Sequence, residues 1–302
     1  MQLSTGRILK LLATVVSCGL AILADRPTTA DDYPPYRLIS SSSSAGLKSL
    51  VARPQLPQLS TADTWHADRK ISYRDELDVG YTLVLPGVLG TTPYNMKLVK
   101  LLANAPTAVD FYDWTDGVPL FKRRGLKKNE FSRRNIENIS QRIIDYKTSF
   151  PGRPVYVFAL CAGAGVACEA IAELPEGCEI HTAILLGPAL SPAYDLSPAL
   201  RRTTHGIDSY HSPLDVPVLM ALTTVTGTVD GLHMPAAGAI GFGLGLSRAK
   251  MLRQHMYNPK MFTQGHFGGH FGWTATKFVD ANLLPVYSRN RSSMKARSSL
   301  WR

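Results

Sequence analysis

Pro154-Val-Tyr-Val-Phe-Ala-Leu160, followed by Cys161-Ala-Gly-Ala-Gly165, is the stretch that decides the fold. The first run is apolar and rich in β-branched and aromatic residues, which predicts a strand buried on both faces of a parallel sheet. The small residues around Cys161 predict a sharp turn into a helix over 163–174. Such a turn raises its central side chain at the helix amino terminus, where the dipole stabilises a thiolate. The alternative is a buried structural cysteine.

The rest of the central region alternates between strand and helix patterns. Such alternation implies right-handed βαβ units and a doubly wound, mostly parallel sheet, so the predicted fold class is α/β. Active sites in these sheets lie at the carboxyl ends of the strands. The predicted strands are 80–86, 108–112, 154–160, 181–186 and 216–222, with an edge strand at 70–73, and the predicted helices are 95–105, 132–146, 163–174 and 274–284.

Three further segments contain candidate catalytic groups at the ends of predicted strands. The loop Leu85-Pro-Gly-Val88-Leu-Gly90 can supply one oxyanion-hole N–H from Val88, with Ala162 supplying the other. Gly227-Thr-Val-Asp230 follows the predicted strand 216–222, where an orienting acid would lie. Gly268-Gly-His270-Phe precedes the last helix, where a base would lie. The chain order is therefore nucleophile, acid, His.

The base and the acid both have competitors. His266 lies in the same glycine-rich loop as His270 and is the alternative base. Asp195 follows the strand 181–186 and is the alternative acid. Asp208 and Asp215 are weaker candidates, because Asp215 directly precedes the predicted strand 216–222 and would then lie at the wrong end of the sheet.

With these motifs in order, residues 65–288 resemble an α/β-hydrolase domain. The resemblance implies that Cys161 is the nucleophile, His270 the base and Asp230 the acid. Ala159 replaces the first glycine of the usual turn, and Cys161 replaces the usual serine. A cysteine there is similar to the dienelactone-hydrolase branch, which uses a Cys-His-Asp triad. The resemblance implies attack on an acyl carbon, with no cofactor and no metal.

The residue pattern of the amino-terminal region predicts a segment that targets the protein for export. Arg7 and Lys10 precede an apolar run that ends at Ala24, which is typical of a signal peptide. Val15-Val-Ser-Cys18 resembles a lipobox, which makes Cys18 a lipidation candidate. Cleavage after Ala24 or Ala30, an uncleaved anchor and a frayed amphipathic helix are the alternatives. Export to a bacterial cell envelope, in the periplasm with or without a lipid anchor, is the expected location.

The composition limits the other classes of function. Four cysteines among 302 residues are too few for a disulfide scaffold, and they form no CxxC pair. No apolar run is long enough for a multi-span membrane protein. The net charge is +10, but five basic residues lie in the carboxy-terminal segment 289–302, so a nucleic-acid partner is not expected.

The predicted organisation is a targeting segment over 1–30, a Pro- and Ser-rich linker over 31–64, an α/β-hydrolase domain over 65–288 and a disordered basic tail over 289–302. The predicted function is an exported hydrolase acting on a small or lipid-like ester, lactone or thioester. The competing hypothesis is an envelope binding protein that keeps the scaffold without turnover. Membrane attachment, if present, would use the amino terminus.

Overall fold

A single parallel sheet organises the chain. The computed structural model describes residues 37–40, 73–115, 128–243 and 251–288. Its seven strands are ordered β1-β3-β2-β4-β5-β6-β7, and all neighbouring pairs are parallel. The strands are β1 (Arg37–Ser40), β2 (Tyr81–Leu85), β3 (Ala108–Asp113), β4 (Val155–Leu160), β5 (Thr182–Leu186), β6 (Ile207–His211) and β7 (Leu252–Met256). The predicted α/β class with a parallel sheet is confirmed.

Helices connect these strands. The α-helices are α1 (Tyr73–Val79), α2 (Pro93–Leu102), α3 (Lys128–Ser149), α4 (Gly163–Ala172), α5 (Ser197–Leu200), α6 (Thr223–Thr226), α7 (Ala237–Ile240), α8 (Pro259–Thr263) and α9 (Thr276–Phe278). Two π-helices span Val216–Leu222 and Val279–Leu283, and two 3₁₀ helices span His270–Thr274 and Leu284–Tyr287. No helix in the described ranges is long and apolar enough to cross a membrane.

The sheet is covered on both faces, which explains why its central strands read as continuous apolar runs. Successive side chains of a strand point to opposite faces. Val157 accordingly packs in one apolar cluster with Ile139 of α3, whereas Phe158 packs in the other with Leu98 of α2. Every residue of β2 through β6 is buried. The sheet is therefore doubly wound, and its carboxyl edge is open to the connecting loops.

The prediction of a strand over 216–222 is wrong. This segment forms a π-helix with Leu219 buried and Val216 51% exposed. A short apolar run does not distinguish a strand from a helix, and Pro217 suits the first turn of a helix. The next two strands are instead β6 and β7, which carry polar residues. Buried Asp208 of β6 pairs with Arg253 and His255 of β7, so these polar side chains satisfy one another inside the sheet.

The amino-terminal boundary also differs from the prediction. Tyr73 begins helix α1 and is not part of an edge strand. Within the predicted linker 31–64, residues 37–40 form β1 and pair with β3 at the edge of the sheet. The rest of that linker, the targeting segment 1–30 with Cys18, and the tail 289–302 lie outside the described residues.

Candidate active site

Cys161 occupies a strained turn between β4 and α4. Its φ is +51°, and it is the one residue other than glycine with a positive φ in the described ranges. A left-handed conformation in such a residue costs on the order of 1–3 kcal/mol and is concentrated at functional sites. The turn is held by two backbone bonds, from Cys161 N–H to Leu186 O at 3.0 Å and from Ala189 N–H to Cys161 O at 3.0 Å.

The residues around this turn must be small because other segments of the same chain pass very close to them. A Cβ on Gly163 would lie 2.4 Å from the carbonyl oxygen of Pro86, and one on Gly87 would lie 3.1 Å from Cβ of Cys161. A Cβ on Gly165 would lie 2.7 Å from Cγ1 of Val229. The need for small residues here is thus explained by contact with the loop after β2 and, for Gly165, by contact with Val229.

His270 and Asp215 form a buried hydrogen-bonded pair. Nδ1 of His270 lies 2.6 Å from Oδ2 of Asp215. Because a carboxylate only accepts, Nδ1 carries the proton and the imidazole is held in one orientation. Burial opposes the charged imidazole, but the interactions with Asp215 and Cys161 outweigh it. The pKa of His270 is therefore raised well above its ordinary value.

The carboxylate that contacts His270 is thus Asp215, which corrects the prediction of Asp230. Because 216–222 is a helix, Asp215 does not precede a strand. It follows β6, which ends at His211, and so lies at the carboxyl edge of the sheet. Asp215 was rejected because of the wrong assignment of that one segment.

Asp230 and Asp195 have local partners instead. Oδ1 of Asp230 accepts a hydrogen bond from Ser191 N–H at 2.8 Å. Burial acts to raise the pKa of Asp230, but hydrogen bonds from Ser191 and Thr228 outweigh it and lower that pKa. Asp195 accepts from Ser197 N–H at 2.9 Å, and this bond lowers the pKa of Asp195. Both carboxylates hold loops together.

His266 is a buried structural residue, and it does not share the contacts of His270. Its Nδ1 accepts from Gly268 N–H at 3.0 Å. Its ring packs against Trp273 at 4.1 Å and against Phe278 at 5.2 Å between centroids. Burial lowers the pKa of His266 to about 4, so the ring is neutral near neutral pH.

The loop after β2 is rigidly anchored beside Cys161. Trp114 Nε1 donates to Pro86 O at 2.6 Å, and Asn95 Nδ2 donates to Gly90 O at 2.5 Å. Neither the Val88 N–H nor the Ala162 N–H has a hydrogen-bond acceptor among the described residues. Within the described residues both N–H groups are thus free of intramolecular acceptors, next to the fixed turn at Cys161.

Asp113 belongs to the same anchoring system. Its carboxylate accepts from the N–H and the hydroxyl of Thr91 at 2.8 and 2.7 Å, and from the N–H and hydroxyl of Thr115 at 2.9 and 2.6 Å. The carboxylate thus ties the loop after β2 to the end of β3. No metal cluster forms from the acids, histidines and cysteines in the described ranges.

The other described cysteines are free thiols. Cys168 is fully buried in α4, and burial raises its pKa to about 12. Cys178 is partly exposed, and burial raises its pKa as well. At Cys178, burial outweighs Lys147 and Arg202, which act to lower that pKa.

Comparison with known proteins gives a likeness of fold. No protein-family model matches the chain, and no curated protein matches it. Among solved structures, it is similar to a protein from Xanthomonas campestris pv. campestris that was assigned to the alpha/beta superfamily of hydrolases. The two are 17% identical with a TM-score of 0.42, over 67% of this chain and 97% of that one. At that score the likeness carries no weight for function, and the fold class rests on the strand order.

Proposed function

We propose that this chain is a hydrolase that uses Cys161, His270 and Asp215 to cleave a carboxylic ester, lactone or thioester. The observation that carries the proposal is the 2.6 Å bond between His270 and buried Asp215. It orients an imidazole whose pKa burial lowers but Asp215 and Cys161 together raise. A nucleophile, a base and an orienting acid on three loops at one sheet edge are the parts that acyl transfer needs.

The first half of the reaction forms an acyl-enzyme. Nε2 of His270, whose raised pKa favours the protonated ring, holds the proton of the Cys161 thiol, and the sulfur of Cys161 attacks the carbonyl carbon. The N–H groups of Val88 and Ala162 stabilise the negative oxygen of the tetrahedral intermediate. When that intermediate collapses, the bond to the leaving alcohol or thiol breaks, and His270 gives the leaving group its proton.

The second half returns the free enzyme. Nε2 of His270 removes a proton from water, and the hydroxide attacks the thioester carbon. The same two N–H groups stabilise the oxygen again. The acid is released, the Cys161 sulfur leaves without a proton, and the proton taken from water stays on Nε2 of His270. Asp215 stabilises the imidazolium at both stages, and no cofactor or metal takes part in these steps.

The test is an assay of the purified protein on short-chain p-nitrophenyl esters and acyl thioesters beside Cys161→Ala and Cys161→Ser. We expect activity only in the wild type and the serine variant, and alkylation by iodoacetamide at Cys161 faster than at Cys168 or Cys178. Equal inactivity of wild type and Cys161→Ala, with no preference for Cys161 in alkylation, would contradict the proposal. That outcome would favour the binding-protein hypothesis.

We also propose export to the cell envelope, with Cys18 as the site of lipid attachment. The support is the sequence pattern of residues 1–24. Membrane fractionation of wild type and Cys18→Ala tests it. We expect the wild type in the membrane fraction and the variant in the soluble one; a wild type that is soluble and retains its first residues would refute both parts.

A further inference from the structure

Tyr94 joins the helix behind the oxyanion loop to the loop that carries His270. Its hydroxyl donates to the backbone carbonyl of His270 at 3.0 Å. Its ring contacts Phe271 edge to face, with 5.0 Å between centroids. Tyr94 therefore fixes both the backbone of His270 and the side chain that follows it.

The helical turn that carries Tyr94 is itself held in place. It lies in the first turn of α2, where the Thr92 hydroxyl accepts from Asn95 N–H at 3.2 Å. Asn95 is buried and donates from Nδ2 to Gly90 O in the oxyanion loop at 2.5 Å. One helical turn thus connects the loop that carries Val88 with the loop that carries His270.

The hydroxyl of Tyr94 also stays protonated. Burial, followed by the negative charges of Asp215 and Cys161, raises the pKa of Tyr94 well above its ordinary value. It therefore remains a hydrogen-bond donor across the range in which the triad would work.

We propose that Tyr94 is a positioning residue that sets the imidazole of His270 against Cys161. The proposal rests on the proposed hydrolase function. Because Asp215 fixes only the Nδ1 side of the ring, the ring can still tilt about that bond. Anchoring the backbone carbonyl of His270 holds the Cα from which the ring projects, so that the fixed backbone and the Asp215 bond together keep Nε2 turned towards the sulfur.

Tyr94→Phe is the test, and Tyr210→Phe is its matched control. Tyr210 also donates its hydroxyl to a backbone carbonyl, that of Asn282, at 3.1 Å, but it does so away from the triad. Loss of one hydrogen bond should lower kcat on p-nitrophenyl acetate about fivefold to tenfold in Tyr94→Phe. KM should stay within about twofold, because substrate binding is not altered. Tyr210→Phe should keep wild-type kcat with a similar loss of thermal stability.

Alkylation separates this proposal from the proposed function. Iodoacetamide reacts with Cys161 without turnover, so its rate at about pH 6 reports the thiolate that His270 stabilises. We expect Tyr94→Phe to slow this rate about fivefold and Tyr210→Phe to leave it unchanged. Equal alkylation rates and equal kcat in both variants, or a rise in KM alone, would overturn the role of Tyr94. A wild type that hydrolyses no ester refutes the proposed function, and the alkylation rates still decide the role of Tyr94.

Discussion

Asp215 and His270 are 55 residues apart in sequence, yet Oδ2 of one lies 2.6 Å from Nδ1 of the other. Parallel strands bring them together, because the loops after β6 and β7 leave the same edge of the sheet. Asp215 is fully buried and His270 nearly so, which strengthens their interaction relative to an exposed pair.

Replacing Asp215 should therefore abolish most of the activity. Asp215→Asn keeps the shape but removes the charge that stabilises the imidazolium, so we expect kcat to fall on the order of 10³-fold on a p-nitrophenyl ester. Asp230→Asn is the control, since Asp230 bonds Ser191 N–H instead, and its kcat should stay within about threefold. The assignment of Asp215 fails if Asp230→Asn is the more damaging change.

Gly163→Ala should destabilise the protein, although alanine normally favours a helix. The new Cβ would lie 2.4 Å from Pro86 O, a backbone atom that cannot move freely. We expect a loss of about 1–3 kcal/mol in the free energy of unfolding, measured by urea titration. Gly269→Ala is the control, because its Cβ would meet nothing within 4 Å and its φ is −81°. Equal stability of the two variants would show that the close approach does not restrict residue 163.

Trp114→Phe should weaken the oxyanion loop. It removes the donor to Pro86 O, so a buried carbonyl loses its partner beside Val88. We expect kcat to fall about threefold to tenfold, from a loss of about 1 kcal/mol. Trp273→Phe creates a similar void, but Nε1 of Trp273 has no acceptor among the described residues. If both variants lose kcat equally, the void rather than the hydrogen bond is responsible.

His266 should make the fold sensitive to acid. Its folded pKa of about 4 lies below the unfolded value of about 6.5, so the unfolded state binds more protons between those limits. Stability is therefore complete above that window and falls as pH decreases through it, by about 2.5 kcal/mol at about pH 4.5. Urea unfolding of wild type against pH measures this loss.

His266→Asn is the matched variant for that measurement. Its Oδ1 can accept from Gly268 N–H as Nδ1 does, but it does not titrate. The variant should be less stable than wild type near neutral pH and should lose less on acidification. Parallel pH profiles for the two proteins would mean that another group causes the acid sensitivity.

The sequence was sufficient to predict β2 to β5, whose runs are mostly apolar, but not β6, which is equally buried. The run 154–160 favours a strand over a helix because it is short, rich in β-branched and aromatic residues, and followed by small residues. The turn at Cys161 followed from the same pattern. His270 was preferred over His266 on its neighbours in sequence; in the structure His270 bonds Asp215, whereas His266 packs against aromatic rings.

The acid was missed for a physical reason. β6 holds Asp208, whose charge is neutralised by Arg253 and His255 on the next strand, and such pairing cannot be read from one segment alone. The apolar run 216–222 took its place in the prediction, and Asp215 was therefore assigned to the wrong edge. Asp208 at the second position of Ile207-Asp-Ser-Tyr-His211, with alternating residues around it, was the available signal for a strand.

The outer position of β7 affects the order in which the protein loses activity and secondary structure in denaturant. β7 lies at the end of the sheet, and unlike the central strands none of its residues is buried. Strands of this kind open locally at a lower free energy than the core. The loop that carries His270 follows β7. Fraying of β7 would therefore separate His270 from Cys161 while β2 to β5 remain paired. Enzymatic inactivation should thus precede the loss of circular dichroism, and amide hydrogens of β7 should exchange first.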